Sequence, residues 1–442
     1  MNRRTRLLLA AGSAALLICL ALICATRLLA DRLEDTFFIP LDHPAIQYAD
    51  RAPDDAVARL DQRLDSGKTK LDYAPTGGYL ASVLKELNVP VDSQVLVFSR
   101  TSIQAAHISP RTPRAIYFND EVSVGYVQGG EVLEFTALDP QQGIKLYALE
   151  VDKVDKPSLT RRDECLQCHQ GPVTLGVPGL LISSVHPSTG RPGEEHGNAF
   201  MTDHRTPFAE RWGGWYVTGT HGAQYHLGNN PALMDPIHPG KDLREGTQNV
   251  TSLADKFDTS KYLAPTSDIV ALMVLEHQVR MTNLIIRIGW DVRVAEHDKT
   301  LASAGPQLNA EIEELVAYML FGDEDPLKEP VAGVSTFTKT FAARGPRDPQ
   351  GRSLRDFNLK TRLFRYPLSY MIYSAAFDDM PDYARERVYR LLYDILTGED
   401  KRESVADLSL ARLTTEDRRA ILEIVRATKP NLPPFWNGAS AQ

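Results

Sequence analysis

Two thiols and an imidazole stand within five residues at Cys165-Leu166-Gln167-Cys168-His169. A c-type haem is held by two thioether bonds from its former vinyl groups. Two thiols must therefore reach opposite sides of one porphyrin edge while the next histidine turns its ring onto iron, and two intervening residues supply that reach. Other chemistries fit this pattern less well. A thioredoxin-like pair wants a strand leading in and a helix leading out, whereas Gly171-Pro172 cuts such a helix short. A structural zinc site needs a second ligand pair, yet the chain has 4 Cys and the other two, Cys19 and Cys24, lie in an apolar N-terminus. A disulfide across two residues is strained and closes almost no loop.

Cys165, Cys168 and His169 are similar to the attachment motif of the c-type cytochromes, and the chain resembles an exported monohaem member of that family. The resemblance implies one covalent haem c with His169 on iron. It covers five residues, because a β-rich stretch precedes the motif where small soluble cytochromes c have a helix. The run Arg211-Trp212-Gly213-Gly214-Trp215-Tyr216-Val217-Thr218-Gly219-Thr220-His221-Gly222 resembles large exported bacterial cytochrome-c-like proteins, a likeness that brings no activity with it.

Six of the eleven histidines, His169, His186, His196, His204, His221 and His226, fall between Cys165 and Asn230. For the sixth iron position the candidates are the Met201 thioether and the His204 imidazole, with His277 next and His221 and His226 behind it. Trp212, Trp215, Tyr216 and Phe208 offer flat apolar surface for a macrocycle, and Arg205 and Arg211 offer planar cations for its propionates. Gly213, Gly214, Gly219 and Gly222 would let backbone pass close to the ring. Arg161 and Arg162 read as a solvated face. A separate metal site from His196, Asp203, His204, His221 or His226 matches no standard spacing.

Positioning these groups needs export and a scaffold. Arg3, Arg4 and Arg6 precede an apolar run from Leu7 to Ala25, long enough at about 1.5 Å per residue to cross a hydrocarbon core. No small-residue pair precedes a cleavage point there, so the segment reads as an uncleaved anchor with the body in the periplasm, the alternative being a cleaved signal peptide. Export places the motif where haem is attached to apocytochromes.

The expected fold class is α+β, in four parts: an anchor over 1–32, an α+β part over 33–155, a haem-attachment and His/Gly/aromatic-rich region over 156–264, and a helical part over 265–442. Short helices are expected at Ala56 to Leu64 and Tyr79 to Leu87. Val95 to Phe98, Ala115 to Phe118, Val122 to Val127, Val132 to Phe135 and Ile144 to Leu149 read as strands of a small antiparallel sheet, with hairpins at Gln128-Gly129-Gly130 and Asp139 to Gly143. A turn from Thr160 to Gln167, capped by Ser158, would carry the motif. The stretch from Gly171 to about Ala264 is irregular and needs something else to organise it. Helices follow from a Ser267 cap to about Arg287, with His277 on one apolar stripe, then at Ala310 to Leu320, Leu368 to Phe377, Pro381 to Leu396 and Glu416 to Ala427. Gly398 is the expected stop of the fourth and Thr414 with Asp417 the capping box of the fifth.

With 43% hydrophobic residues and 49 Lys+Arg against 57 Asp+Glu, a net charge of -8, the composition excludes wholesale disorder and argues against nucleic-acid binding. No nucleotide-binding glycine loop, nucleophile elbow or zinc-protease His-Glu pair occurs. Two functions remain: a membrane-tethered electron carrier serving a redox partner protein, which needs only what the motif supplies, and a haem enzyme or sensor whose sixth position admits peroxide, oxygen or nitric oxide.

Overall fold

A computed structural model describes residues 38–185, 199–234, 246–399 and 413–437. The expected anchor, His186 and His196 lie outside the described residues. The fold is α+β, an antiparallel sheet with helices on both faces and a helical C-terminal part.

The five expected strands form, as β1 (Val95–Val97), β2 (Arg114–Phe118), β3 (Val122–Tyr126), β4 (Val132–Asp139) and β5 (Gly143–Glu150). Both hairpins turn where expected, with Gly129 at φ 75 and Gly143 at φ 82, a conformation that costs glycine little. The sheet is larger than expected. β6 (Thr160–Arg161) adds to the β5 edge and β9 (Trp215–Tyr216) to the β1 edge, giving the order β6-β5-β4-β3-β2-β1-β9 with every neighbour antiparallel. Two-residue strands carry too little period to stand out in sequence; their partners define them.

One face of the sheet presents Tyr117, Val124, Phe135 and Leu149 to α1 (Ala56–Asp65) and α2 (Leu80–Glu86), closing one apolar cluster. The other face gives Val95, Ile144 and Leu146 to a second cluster built on α4 (Ile269–His297). To this second cluster α3 (Leu166–His169) contributes Leu166. Two small pairs, β7 (Ser183–Val185) with β8 (Ala199–Met201) and β10 (Gly219–Thr220) with β11 (Ala332–Gly333), knit the centre of the chain to the rest.

The helix α4 runs ten residues beyond its expected end and is buried on all sides, where a single stripe was expected. It is long and apolar enough to cross a membrane, but its apolar stretch is 94% buried within the protein, as a core helix requires. Its cap is Asp268, whose carboxylate accepts from the Val270 and Ala271 amides, in place of Ser267. Ser267 instead joins Leu96 N–H to Tyr216 C=O through its hydroxyl. α5 (Leu301–Met319) begins nine residues before its expected start, with Pro306 inside it. α6 (Phe337–Ala343) follows, and the expected helix at Leu368 to Phe377 is a 3₁₀ turn at Tyr370–Tyr373 leading into α7 (Ala375–Asp378). α8 (Asp382–Thr397) ends at Gly398 with φ 78, and α9 (Thr415–Thr428) starts with both bonds of the Thr414–Asp417 capping box.

Candidate functional site

The motif is delivered by the sheet. β6 pairs with β5, Arg162 N–H continues the ladder to Leu146 C=O at 2.8 Å, and the chain then rolls through a 3₁₀ turn at Asp163–Cys165 into α3. The helical turn starts later than expected, at Leu166, because Thr160 and Arg161 are spent on the sheet, and Ser158 caps nothing. Leu166 is buried and anchors the turn, Cys165 packs at the margin of the α4 core, and Cys168 is exposed. Both thiols are free.

His169 closes the turn, and its Nδ1 lies 2.9 Å from the Gly179 carbonyl oxygen. The Gly179 amide donates back to the His169 carbonyl at 2.8 Å, so side chain and backbone lock the same two residues together. The intervening loop is tied in turn to α4. Asn283 accepts from Leu180 N–H at 2.8 Å and donates to Leu180 C=O at 2.9 Å, and Arg287 donates to Leu175 C=O at 3.0 Å. A side chain on Gly179 would put its Cβ 2.5 Å from Asn283 Oδ1, which is why glycine stands there.

Burial lowers the His169 pKa, so the ring is neutral near pH 7. With Nδ1–H donating to a carbonyl, the lone pair sits on Nε2, which has no hydrogen-bond partner among the described residues. Burial, then the Glu164 and Glu134 carboxylates, push the Cys165 thiol up and keep it protonated. The arrangement is two free thiols and an imidazole nitrogen presented as a metal ligand, its other nitrogen held by a carbonyl as metal-bound histidines usually are. These donors fit a covalently attached haem.

The candidates for the sixth position separate. Met201 lies in β8 directly opposite Ser183, four residues beyond Gly179, and is half-buried. His204 and His277 meet each other instead: their Nδ1 atoms are 2.9 Å apart in the interior, and His277 Nε2 is 2.8 Å from the Ser369 hydroxyl. His204 stacks on Tyr318 and His277 on Phe321. Burial lowers the His204 pKa to about 3 and that of His277 well below its ordinary value. Both nitrogens of His277 are engaged within the protein.

The other candidates are likewise committed to the chain itself. Arg205 forks onto Asp203, and Arg211 pairs with the buried Glu276 at 3.3 Å while donating to the Thr206 and His204 carbonyls. Trp212 is buried at φ 67 against Phe208 and His226, and Trp215 donates to Ser183 C=O. A Cβ on Gly213 would stand 1.9 Å from Val185 O, so that glycine admits a neighbouring strand, where a macrocycle was expected. His221 accepts from Asn249 N–H, His226 from Gly228 N–H, and the two rings touch at 4.7 Å. What organises the irregular centre is therefore polar side chains serving backbone: Asn229 alone bonds Val217 twice and Thr247 once.

Among the described residues, those suggested for a separate metal site do not converge, since Asp203, His204 and the His221–His226 pair each have other partners. A trio that does converge is His43, His297 and Asp298 at the end of α4, with His43 Nε2 3.4 Å and His297 Nδ1 2.8 Å from the Asp298 carboxylate. His43 Nδ1 accepts from Ala45 N–H at 3.2 Å, which keeps the ring proton on Nε2 facing the carboxylate. The trio is a hydrogen-bonded cluster as it stands.

Around the motif, the sequence reading missed Gly179, Asn283, Arg114 and Glu134. Arg114 and Glu134 pair at 2.5 Å on β2 and β4, and Glu134 also accepts from Ser102 and Gln104. Only the hairpin register could have linked two residues twenty apart. No family model, curated protein or solved structure matches the chain.

Proposed function

We propose that this chain is an exported, membrane-anchored monohaem c-type cytochrome that carries electrons to or from a redox partner. The observation that carries this reading is the His169 Nδ1 bond to Gly179 C=O, which leaves Nε2 bare beside two free thiols on one helical turn. Cys165 and Cys168 would hold the haem through thioether bonds, each S–H adding across one vinyl group so that sulfur and hydrogen end on its two carbons with no oxidant consumed. His169 Nε2 would take the iron, with the Gly179 carbonyl fixing the ring orientation and Asn283 holding the Gly179–Leu180 loop from the core helix. Bound haem supplies a one-electron couple; the protein sets its potential and its access to a partner. The body stands in the periplasm, held by the apolar segment from Leu7 to Ala25.

Met201 is the favoured sixth ligand, because His277 has both nitrogens engaged and His204, held through Nδ1 by His277, keeps its unpartnered Nε2 enclosed in the interior. A haem open at that position, binding peroxide, oxygen or nitric oxide, is the alternative, and one experiment separates the two. Protein made alongside cytochrome c maturation machinery is run on a denaturing gel, stained for haem and weighed intact. Retained pigment with the mass of one haem supports the proposal; its absence overturns it. A reduced spectrum indifferent to carbon monoxide supports electron transfer, whereas a prompt carbonyl complex supports the alternative.

A further inference from the structure

A buried ammonium lies behind the strand that holds the attachment turn. Lys145 stands in β5 and is 0% exposed. Its neighbours Ile144 and Leu146 face the cluster that contains Leu166, whereas Lys145 pairs with Ala137, which belongs to the cluster on the α1 side. Both flanking residues grip the site through backbone. Ile144 N–H donates to Pro178 C=O at 3.2 Å, one residue before the carbonyl that orients His169. Leu146 C=O accepts from Arg162 N–H at 2.8 Å, three residues before Cys165. Lys145 is therefore on the far side of the one strand that carries both segments of the site.

Its charge has no counter-ion bonded to it. Nζ donates to the Tyr48 carbonyl at 2.6 Å, lies 3.4 Å from the centre of the Tyr48 ring, and has no other hydrogen-bond partner among the described residues. The same carbonyl accepts from Arg161 Nη2 at 2.9 Å, so two cations converge on one oxygen. The carboxylates that face the lysine are committed elsewhere. Asp139 of β4 serves the Asp54, Gln141 and Gln142 amides. Asp55, the cap of α1, serves the Val57 and Ala58 amides and the Tyr147 hydroxyl, and Asp163 takes Arg161 Nε at 2.6 Å. Burial, then Arg161, bring the Lys145 pKa down to about 7. Burial also raises the Asp55 carboxyl and pushes the Tyr48 and Tyr147 phenols up, which keeps both phenols neutral.

We propose that Lys145 takes up a proton when the haem is reduced and releases it on oxidation, so that this chain moves a proton with its electron. This rests on the function proposed above and adds what travels with the charge. The electron comes from the redox partner and the proton from solvent; the proton ends on the Lys145 lone pair, and both leave again on oxidation. The coupling is electrostatic and acts through a dry interior, where charges are screened far less than in water. It is reciprocal: whatever reduction adds to the proton affinity of Lys145, the protonated lysine adds to the potential. Arg161, four residues before Cys165, is the charged side chain shared by the lysine and the entry to the motif.

The test uses full-length protein matured with haem. The midpoint potential should fall as pH rises through about 7 and level off on either side. Lys145→Met fills the same space without the charge; its potential should stay at the lower, high-pH value throughout, while Lys156→Met, at an exposed lysine, retains the fall. Circular dichroism and the thermal midpoint check folding. Two measurements need no folded variant. Reduction of wild-type protein in weakly buffered solution with an indicator dye should show proton uptake, and nuclear magnetic resonance of isotope-labelled lysine should show one side chain titrating in the neutral range, with a higher midpoint in reduced protein. A fall in potential that survives in folded Lys145→Met, or haem-loaded wild-type protein with no proton uptake, overturns the coupling and leaves the function intact. Wild-type protein without haem overturns both.

Discussion

His169 and His277 sit on opposite sides of one core helix's influence, and they use the same ring differently. His169 spends Nδ1 on a backbone carbonyl and keeps Nε2 bare at a half-open surface next to two thiols. His277 spends Nδ1 on His204 and Nε2 on Ser369 in a sealed interior, between Tyr318 and Phe321. A histidine with one nitrogen held and the other at a partly open surface can bind; one with both held, or with its bare nitrogen enclosed in the interior as in His204, supports. The concentration of histidine around the motif therefore mixes two kinds of residue that a sequence cannot separate, since the distinction is which atoms are already taken.

The comparison breaks most sharply at the thiols. Cys165→Ser with Cys168→Ser should abolish covalent pigment on a denaturing gel while leaving the thermal midpoint of haem-free protein unchanged; loss of folding in that variant would mean the thiols serve the core. On the supporting side, His277→Ala empties volume and strands both the His204 nitrogen and the Ser369 hydroxyl, a cost of about 2–5 kcal/mol in urea unfolding with the haem mass retained. Asn283→Leu stands between the two. It leaves the Leu180 amide and carbonyl unpaired for about 1–3 kcal/mol, and, by loosening Gly179, it should weaken the His169–iron bond seen in the reduced spectrum.

Acid separates the regions further. His204 is held to about 3 against 6.5 for the free side chain, so across that window only the unfolded chain binds the proton. Its contribution is complete above pH 6.5 and is lost as pH falls toward 3. Glu276 runs the other way: burial raises it from 4.5 to about 7, so its contribution is complete below pH 4.5 and lost as pH rises through 7. Urea midpoints between pH 4 and 8 should then show a falling acid limb that His204→Phe flattens and a falling neutral limb that Glu276→Gln flattens. The smallest expected effect is at Lys156, paired with Asp65 in open solvent, where Lys156→Ala should change neither spectrum nor midpoint.

Much of the fold was legible because it repeats over enough residues to show a period. The five main strands, α1, α2, α8 and α9 appear where alternation or helical spacing predicts them, and Gly398 and the Thr414–Asp417 box mark ends by local chemistry alone. The misreadings have a common cause. Thr160–Arg161 and Trp215–Tyr216 are strands only because β5 and β1 offer edges, and α4 exceeds its apolar stripe because neighbours cover every side. Arg205, Arg211, Trp212 and Gly213 carry the right chemistry for a cofactor and spend it on Asp203, Glu276, Phe208 and Val185.

By itself the sequence determined the chemical repertoire: two thiols and an imidazole within five residues, and an apolar run from Leu7 to Ala25. Local spacing is a property of the chain, so it survives without a fold. Only tertiary structure decided which donors stay unspent, because hydrogen-bond partners of buried groups come from residues far apart in sequence: Gly179 and Asn283 for His169, Ser369 for His277, Glu134 for Arg114.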